Sequence, residues 1–223
     1  MQRRGLILGG YDTAANGWVL QAGWKLSPAE QKTNYVDKQG GDGSWDLSTA
    51  LTDGIPLYKD RALSATFECS DGDRLSREEK IRHMINLLDG MRASIQLPDD
   101  DAHYITGRLH VVRDYNDLAH AAVTVSAVCE PWKYSNAEKV MKLTASAEKR
   151  TVQVANQGRL VVIPTLTVEG ADASVLLEYG TGSTALSAGT YQWPDFLLTP
   201  GDHALTYSGT GSVTVTYREA VLE

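Results

Sequence analysis

The chain has 223 residues, which at roughly 150 residues per domain makes one large domain or two small ones. Its 42% hydrophobic and 22% charged content is that of an ordinary globular protein and excludes intrinsic disorder and fibrous repeats. A formal charge of -7 excludes a protein whose main task is to neutralise phosphates, since that needs a basic surface.

At the N-terminus Arg3 and Arg4 are followed only by Leu6-Ile7-Leu8 before Gly9-Gly10. That run falls far short of a secretory apolar core, so export by a cleaved signal is not expected. The longest weakly polar stretch, Leu118 to Cys129, is interrupted by His120, Thr124 and Ser126. A membrane span needs about 20 apolar residues, so no membrane association is expected. Cys69 and Cys129 are too few for a disulfide scaffold and read as buried thiols in a reducing compartment.

Most of the N-terminal half reads as strand, with one helix expected over 76–89. Ser76-Arg77-Glu78-Glu79 fits a capping box. Ile81, Met84, Ile85 and Leu88 then follow at i, i+3, i+4 and i+7, one apolar stripe, and Gly90 ends the helix. After Pro98, Ile105 to Val112 and Ala121 to Cys129 read as paired strands joined by Arg113 to Leu118. Val123, Val125, Ala127 and Cys129 share a face of the second strand.

The composition changes near residue 150. Residues 151–223 carry only nine of the 49 charged residues, no lysine, and 11 of the 19 threonines. The shift marks a domain boundary, and the expected division is 1–134 and 135–223, with Ser135 to Arg150 as junction or first strand. Arg159 to Val168 and Ser174 to Tyr179 are short β-branched runs bounded by Gly170 and Gly180, with Pro164 marking an edge or bulge. Ser212 to Tyr217 alternates with period two, placing Val213, Val215 and Tyr217 on one face. Ala204 to Tyr207 and the break Ser208-Gly209-Thr210-Gly211 read as a hairpin before it. Short strands at this spacing predict a small β-sandwich.

Chemistry-bearing patterns are few. Gly180-Thr181-Gly182-Ser183-Thr184-Ala185 matches a dinucleotide-binding string, but Gly189 and Pro194 leave no room for the helix that must hold the pyrophosphate, so it reads as a hairpin turn. Asp99-Asp100-Asp101 with His103 reads as a solvated turn, because neighbouring side chains on an extended segment diverge. His83 lies on the helix's charged flank, while His110, His120 and His203 stand alone, and no nucleophile elbow is present. No catalytic residue, cofactor site or metal ligand set is assigned, and an enzyme is not expected. Of the five tryptophans, Trp45 and Trp193, the latter with Tyr191, are the candidate assembly or glycan contacts.

Taken in order, a series of segments resembles one family, the distal tail proteins of long-tailed bacteriophages with non-contractile tails. The matching residues are Tyr11-Asp12-Thr13 with Gly17-Trp18, Gly41 to Ser48 around Trp45, and Tyr58-Lys59-Asp60-Arg61 leading into Phe67. They continue with Leu87-Leu88-Asp89-Gly90, Tyr104 before Gly107-Arg108-Leu109, and Cys129 to Tyr134. Asn156-Gln157-Gly158, Pro164-Thr165 and a closing hairpin over 201–222 complete the series. Asp37-Lys38-Gln39-Gly40 is more polar than the family pattern.

The resemblance implies a mainly β protein of two β-sandwich domains. The first carries a single flanking α-helix and an extended hairpin that clasps the adjacent subunit, placed here between Trp24 and Trp45; the second is smaller and galectin-like. It implies a homo-hexameric ring in the virion, at the distal end of the tail. This hub joins the tail tube protein to the tail-tip protein and is made in the host cytoplasm. Tape-measure protein and DNA pass through its lumen without specific binding. The second reading is a carbohydrate-binding module for host glycans, resting on Tyr191 and Trp193.

Overall fold

A computed structural model describes residues 5–69, 72–114 and 121–223. The chain divides into two compact units, Met1–Lys133 and Tyr134–Glu223. The connection expected over Arg113 to Leu118 lies mostly outside the described residues, as does His120.

In the first unit the strands are β1 (Ile7–Leu8), β2 (Tyr11–Asp12), β3 (Val19–Leu20), β4 (Lys25–Leu26), β5 (Tyr35–Asp37), β6 (Ser44–Asp46) and β7 (Arg61–Cys69). The helix α1 (Arg74–Leu88) follows, then β8 (Arg92–Gln96), β9 (His103–Asp114) and β10 (Ala121–Ser135). One sheet runs β2-β1-β8-β9-β10-β7-β3, with β4 also on β7, while β5 and β6 form a separate two-stranded sheet among the described residues.

Alternation determines the core. Leu63, Ala65, Phe67 and Cys69 of β7 point inward, and the antiparallel register sets Phe67 opposite Val123, Ala65 opposite Val125 and Leu63 opposite Ala127. Each pair buries two apolar side chains on the same face, about 25 cal/mol per Å2 removed from water. A Cβ at Gly107 of β9 would lie 2.7 Å from the Cys129 Sγ, so that position admits no side chain.

The helix begins three residues earlier than the capping box predicts. Its N-cap is Asp73, whose carboxylate accepts the Ser76 amide at 2.8 Å. Ser76 therefore occupies N3 rather than the cap; Asp caps as well as Ser does, and both satisfy an orphan amide. The stripe is as expected: Ile81, Met84 and Leu88 are buried against the sheet core and Ile85 packs beside them. Gly90, at φ +75°, turns the chain out of the helix. Arg113 of β9 holds Glu78 of α1 through two bonds of 2.5 and 2.7 Å, which ties helix to sheet.

The second unit contains β11 (Lys139–Thr144), β12 (Arg150–Asn156), β13 (Thr165–Tyr179), β14 (Gly182–Ser187), β15 (Gly189–Gln192), β16 (Gly201–Tyr217) and β17 (Ala220–Val221). Two long strands organise it. The first part of β13 pairs with β15 and its last part with β14. Likewise β16 pairs first with β12 and then with β11. Since β13 and β16 pair with each other throughout, they run through two four-stranded layers, bending where one layer becomes the other. Leu166, Val168, Val213 and Val215 from one layer and Val175, Leu177, Leu205 and Val154 from the other meet in a single core.

Two sequence expectations change here. Arg159 to Val168 and Ser174 to Tyr179 are not two strands about Gly170, because β13 begins after Pro164 and runs through the glycine. Ser208 to Gly211 is not a hairpin turn, nor is 201–222 a hairpin, because β16 is continuous across it. The register with β13 shifts only between Glu169 and Ser174, the bulge of the corner. Gly170, Gly209 and Gly211 have φ of +135°, +120° and +98°, and the Thr210 hydroxyl bridges the corner from the Asp172 carbonyl to the Ser174 amide. Glycines that reverse a chain and glycines that bend a strand look alike in sequence, since both are there for the positive φ. The turn expected at Gly180 is present, with Tyr179 opposite Gly182.

Candidate assembly surface

The segment between β4 and β7 carries the strongest surface feature. At its base Gln31 bridges Tyr58, the Lys32 amide donates to the Leu57 carbonyl, and the Lys59 amide donates to the Glu30 carbonyl. Tyr58 is anchored edge-on against Trp132 of β10, with ring centroids 5.4 Å apart. From this base extends the arm formed by β5 and β6, in the register Tyr35–Asp46, Val36–Trp45 and Asp37–Ser44. Its tip, 38–43, turns through Gly40 and Gly43, both at φ +77°. The polar tip residues at which the sequence departs from the family pattern thus form a turn.

Every residue of β5 and β6 is exposed. Trp45 is 61% exposed and Val36 opposite it 47%, and the Lys38 ammonium sits 4.9 Å from the Trp45 ring centroid. Beyond the arm Leu47, Ile55 and Leu57 are exposed, and Leu51 is 99% exposed at the apex of a series of turns. The Asp46 carboxyl is held below the usual carboxylate range by hydrogen bonds from the Ser48 hydroxyl and amide, and from Tyr35.

The other candidate contacts lie in the second unit and are less open. Trp193 is 8% exposed, packs against Phe196 and donates its indole N–H to Asp195 at 3.3 Å. Little of the Trp193 ring is therefore open for a sugar to stack on. Tyr191 is half-buried, its hydroxyl 3.3 Å from that of Ser187 and its ring over Gly189. Trp18 is buried with its indole N–H on the Tyr11 hydroxyl, and Trp24 and Trp132 are half-buried, so Trp45 is the tryptophan open to a partner.

Two of the histidines expected to stand alone, His110 and His203, have partners. His110 is 2.9 Å from Asp89, whose carboxylate also takes the Val111 amide. His203 lies 2.8 Å from the Tyr179 hydroxyl and 2.7 Å from the Thr199 carbonyl. Asp100 closes its own turn onto the amide and ring of His103 and faces Lys133 at 3.4 Å. Burial raises the Asp100 pKa, but His103 and Lys133 outweigh it and the net shift is downward. Among the described residues no three His, Cys, Asp or Glu gather at metal-binding spacing. Both cysteines are free and buried, and burial pushes the Cys129 thiol up to about 11. Among the described residues no helix is long and apolar enough to cross a membrane.

The Asp89 pair gives a pH-dependent stability. The Val111 amide first, and His110 next, lower the Asp89 pKa. A carboxylate depressed in the folded state stabilises above its unfolded pKa, about 3.9, and loses that contribution as pH falls through the folded value. Asp89→Ala is therefore expected to lower the urea midpoint at neutral pH, and the gap to the parent is expected to close below about pH 4. Parallel urea titrations across that range measure it.

Sequence reading found Trp45 but missed its neighbours Leu47, Leu51, Ile55 and Leu57. The available signal was a set of leucines and an isoleucine lodged among turn formers such as Asp53-Gly54 and Pro56. Apolar residues there have no strand or helix to carry them into a core.

No family model matches the chain, and no curated protein sequence does. Among solved structures it is similar to SPP1 Dit (gp 19.1), described as a paradigm of the hub adsorption apparatus in phages infecting Gram-positive hosts. The TM-score is 0.66, the identity 16%, and the match covers 97% of this chain and 98% of that one. Mainly β, with one helix among the described residues and further sheets, the chain has the Dit fold and resembles the phage distal tail proteins over nearly its whole length.

Proposed function

We propose that the chain is a structural protein of a phage tail hub: six copies form a ring that joins the tail tube to the tail-tip apparatus. The observation that carries this reading is the match to a hub protein over 97% of this chain and 98% of that one. The exposed arm agrees with it, since a ring needs a patch on each copy that seats on a different patch of the next. On this reading the first unit carries the ring contacts, the protein resides in the virion after synthesis in the host cytoplasm, and its role is mechanical rather than catalytic. Tape-measure protein and DNA traverse the lumen. The chain's net charge of -7 suits such a passage, because an acidic lining repels phosphates; a basic lining would argue against it.

Light scattering of the purified protein over a range of concentrations tests the ring. A mass climbing towards six times 24.3 kDa is expected, steeply concentration-dependent if the contacts are weak. A mass fixed at one chain throughout counts against self-assembly.

A further inference from the structure

His203, near the start of β16, closes a short chain of contacts. Its Nδ1 lies 2.8 Å from the Tyr179 hydroxyl at the end of β13, and its Nε2 lies 2.7 Å from the Thr199 carbonyl oxygen. The Tyr179 hydroxyl in turn stands 2.6 Å from the Leu197 carbonyl oxygen. Each separation is that of a formed hydrogen bond, so each needs one proton between its two heavy atoms.

The protons can be counted. The two carbonyls only accept. The Tyr179 hydroxyl supplies one proton and keeps it, because burial raises its pKa above the ordinary value. A neutral imidazole supplies one more, the imidazolium two. Three bonds therefore need the charged ring: Nε2–H donates to Thr199, Nδ1–H to the Tyr179 oxygen, and the Tyr179 O–H to Leu197. With a neutral ring one of the three contacts sets two lone pairs face to face. The Thr199 hydroxyl, 3.4 Å from Nε2, does not relieve this, since the nearer carbonyl would still oppose a bare nitrogen.

The ring's surroundings are otherwise neutral. Its cross-strand neighbour on β12 is Val154, and from β13 it meets the Tyr179 ring at 5.8 Å between centroids. Asp202, beside it on β16, belongs to the opposite face of the strand, and the Asp195 carboxylate takes the Trp193 indole N–H. Among the described residues no carboxylate pairs with His203, so the count rests on the hydrogen bonds alone.

We infer that His203 carries both ring protons in the folded chain and works as a pH-sensitive latch. As imidazolium it holds Leu197 and Thr199 to the end of β13 and the start of β16, and on losing a proton it loosens them. The release is local, because Leu198 between them remains bonded to Val162 and Asn156. This inference does not depend on the hub reading.

The test is long-range 1H–15N NMR of the 15N-histidine-labelled chain, which reads the protonation of each ring nitrogen. His203→Gln assigns the His203 signals by their loss. Both His203 nitrogens are expected to be protonated at about pH 6, and a parent ring with a single proton there overturns the inference without any variant. Tyr179→Phe removes the contact that needs the second proton. In that variant His203 is expected to lose the proton at a pH at least about one unit lower than in the parent, a ten-fold change. The stability gained from a charged ring is present at low pH and lost as the ring deprotonates. The parent's advantage over Tyr179→Phe in urea midpoint is therefore expected to shrink between about pH 6 and pH 8. Equal ring titrations in the two chains, or an advantage that does not change with pH, would show that His203 is no latch.

Discussion

Gly209→Ala is expected to unfold the second unit or leave it destabilised by at least about 4 kcal/mol. A Cβ at this position would stand 2.0 Å from the Ser174 carbonyl oxygen and 3.2 Å from the Val175 Cα. Both belong to β13, the strand that β16 pairs with along its length, so the contact cannot be relieved by turning a side chain. The backbone at φ +120° is itself costly for an L-residue with a Cβ. Moving β16 away would break the pairing of Val175 with Gly209 and its neighbours on both sides of the corner, exposing Val175, Leu177 and Leu205. Gly180→Ala is the control. It has φ +56° and nothing within 4 Å of its added Cβ, so about 1 kcal/mol is expected. Hydrogen exchange read peptide by peptide distinguishes the units. Protection should fall across β11 to β16 in Gly209→Ala while β7 and α1 keep theirs. A Gly209→Ala chain as protected as Gly180→Ala would show that the corner is not tight.

Asn156→Leu is expected to cost about 3 to 5 kcal/mol although it is apolar and close in size. Asn156 is 1% exposed, and its side chain ties three stretches of backbone together. The amide group donates to the Leu160 and Leu198 carbonyls, each at 2.8 Å, and the side-chain oxygen accepts the Gly158 amide at 3.0 Å. Leucine fills the space but leaves all three backbone groups without that partner, at about 1 to 3 kcal/mol for each one kept from water. Asn156→Asp is expected to be worse at neutral pH, because a buried carboxylate would then face two carbonyl oxygens. Urea unfolding of the three chains measures the order. Asp equal to or milder than Leu would mean that packing, not the hydrogen bonds, is what Asn156 supplies.

Both predictions concern residues whose importance composition alone hides. Asn156-Gln157-Gly158 looks like any polar turn, and only the fold brings Leu198, 42 residues away, onto the same amide. Gly209 looked like a hairpin glycine for a related reason. Positive φ is a local requirement and therefore legible, but whether the chain reverses or bends afterwards depends on which strand its flanks pair with. The helix start shows the same limit at shorter range. Asp73 and Ser76 are both competent caps, and the structure uses Asp73.

What the sequence determined by itself was whatever repeats at the period of the secondary structure. The stripe Ile81, Met84, Leu88 and the alternations Val123 to Cys129 and Val213 to Tyr217 all face a core, as their spacing requires. The compositional shift near residue 150 was likewise visible without coordinates. What only the tertiary structure decided was exposure. Trp193 and Trp45 each sit beside turn-forming residues and were equal candidates as contacts, yet one ring is packed on Phe196 and the other stands open on an arm. The physical reason is that burial is a property of what surrounds a side chain. A sequence specifies a residue's appetite for an apolar neighbour, but the layers and corners of the fold decide whether that neighbour comes from its own chain.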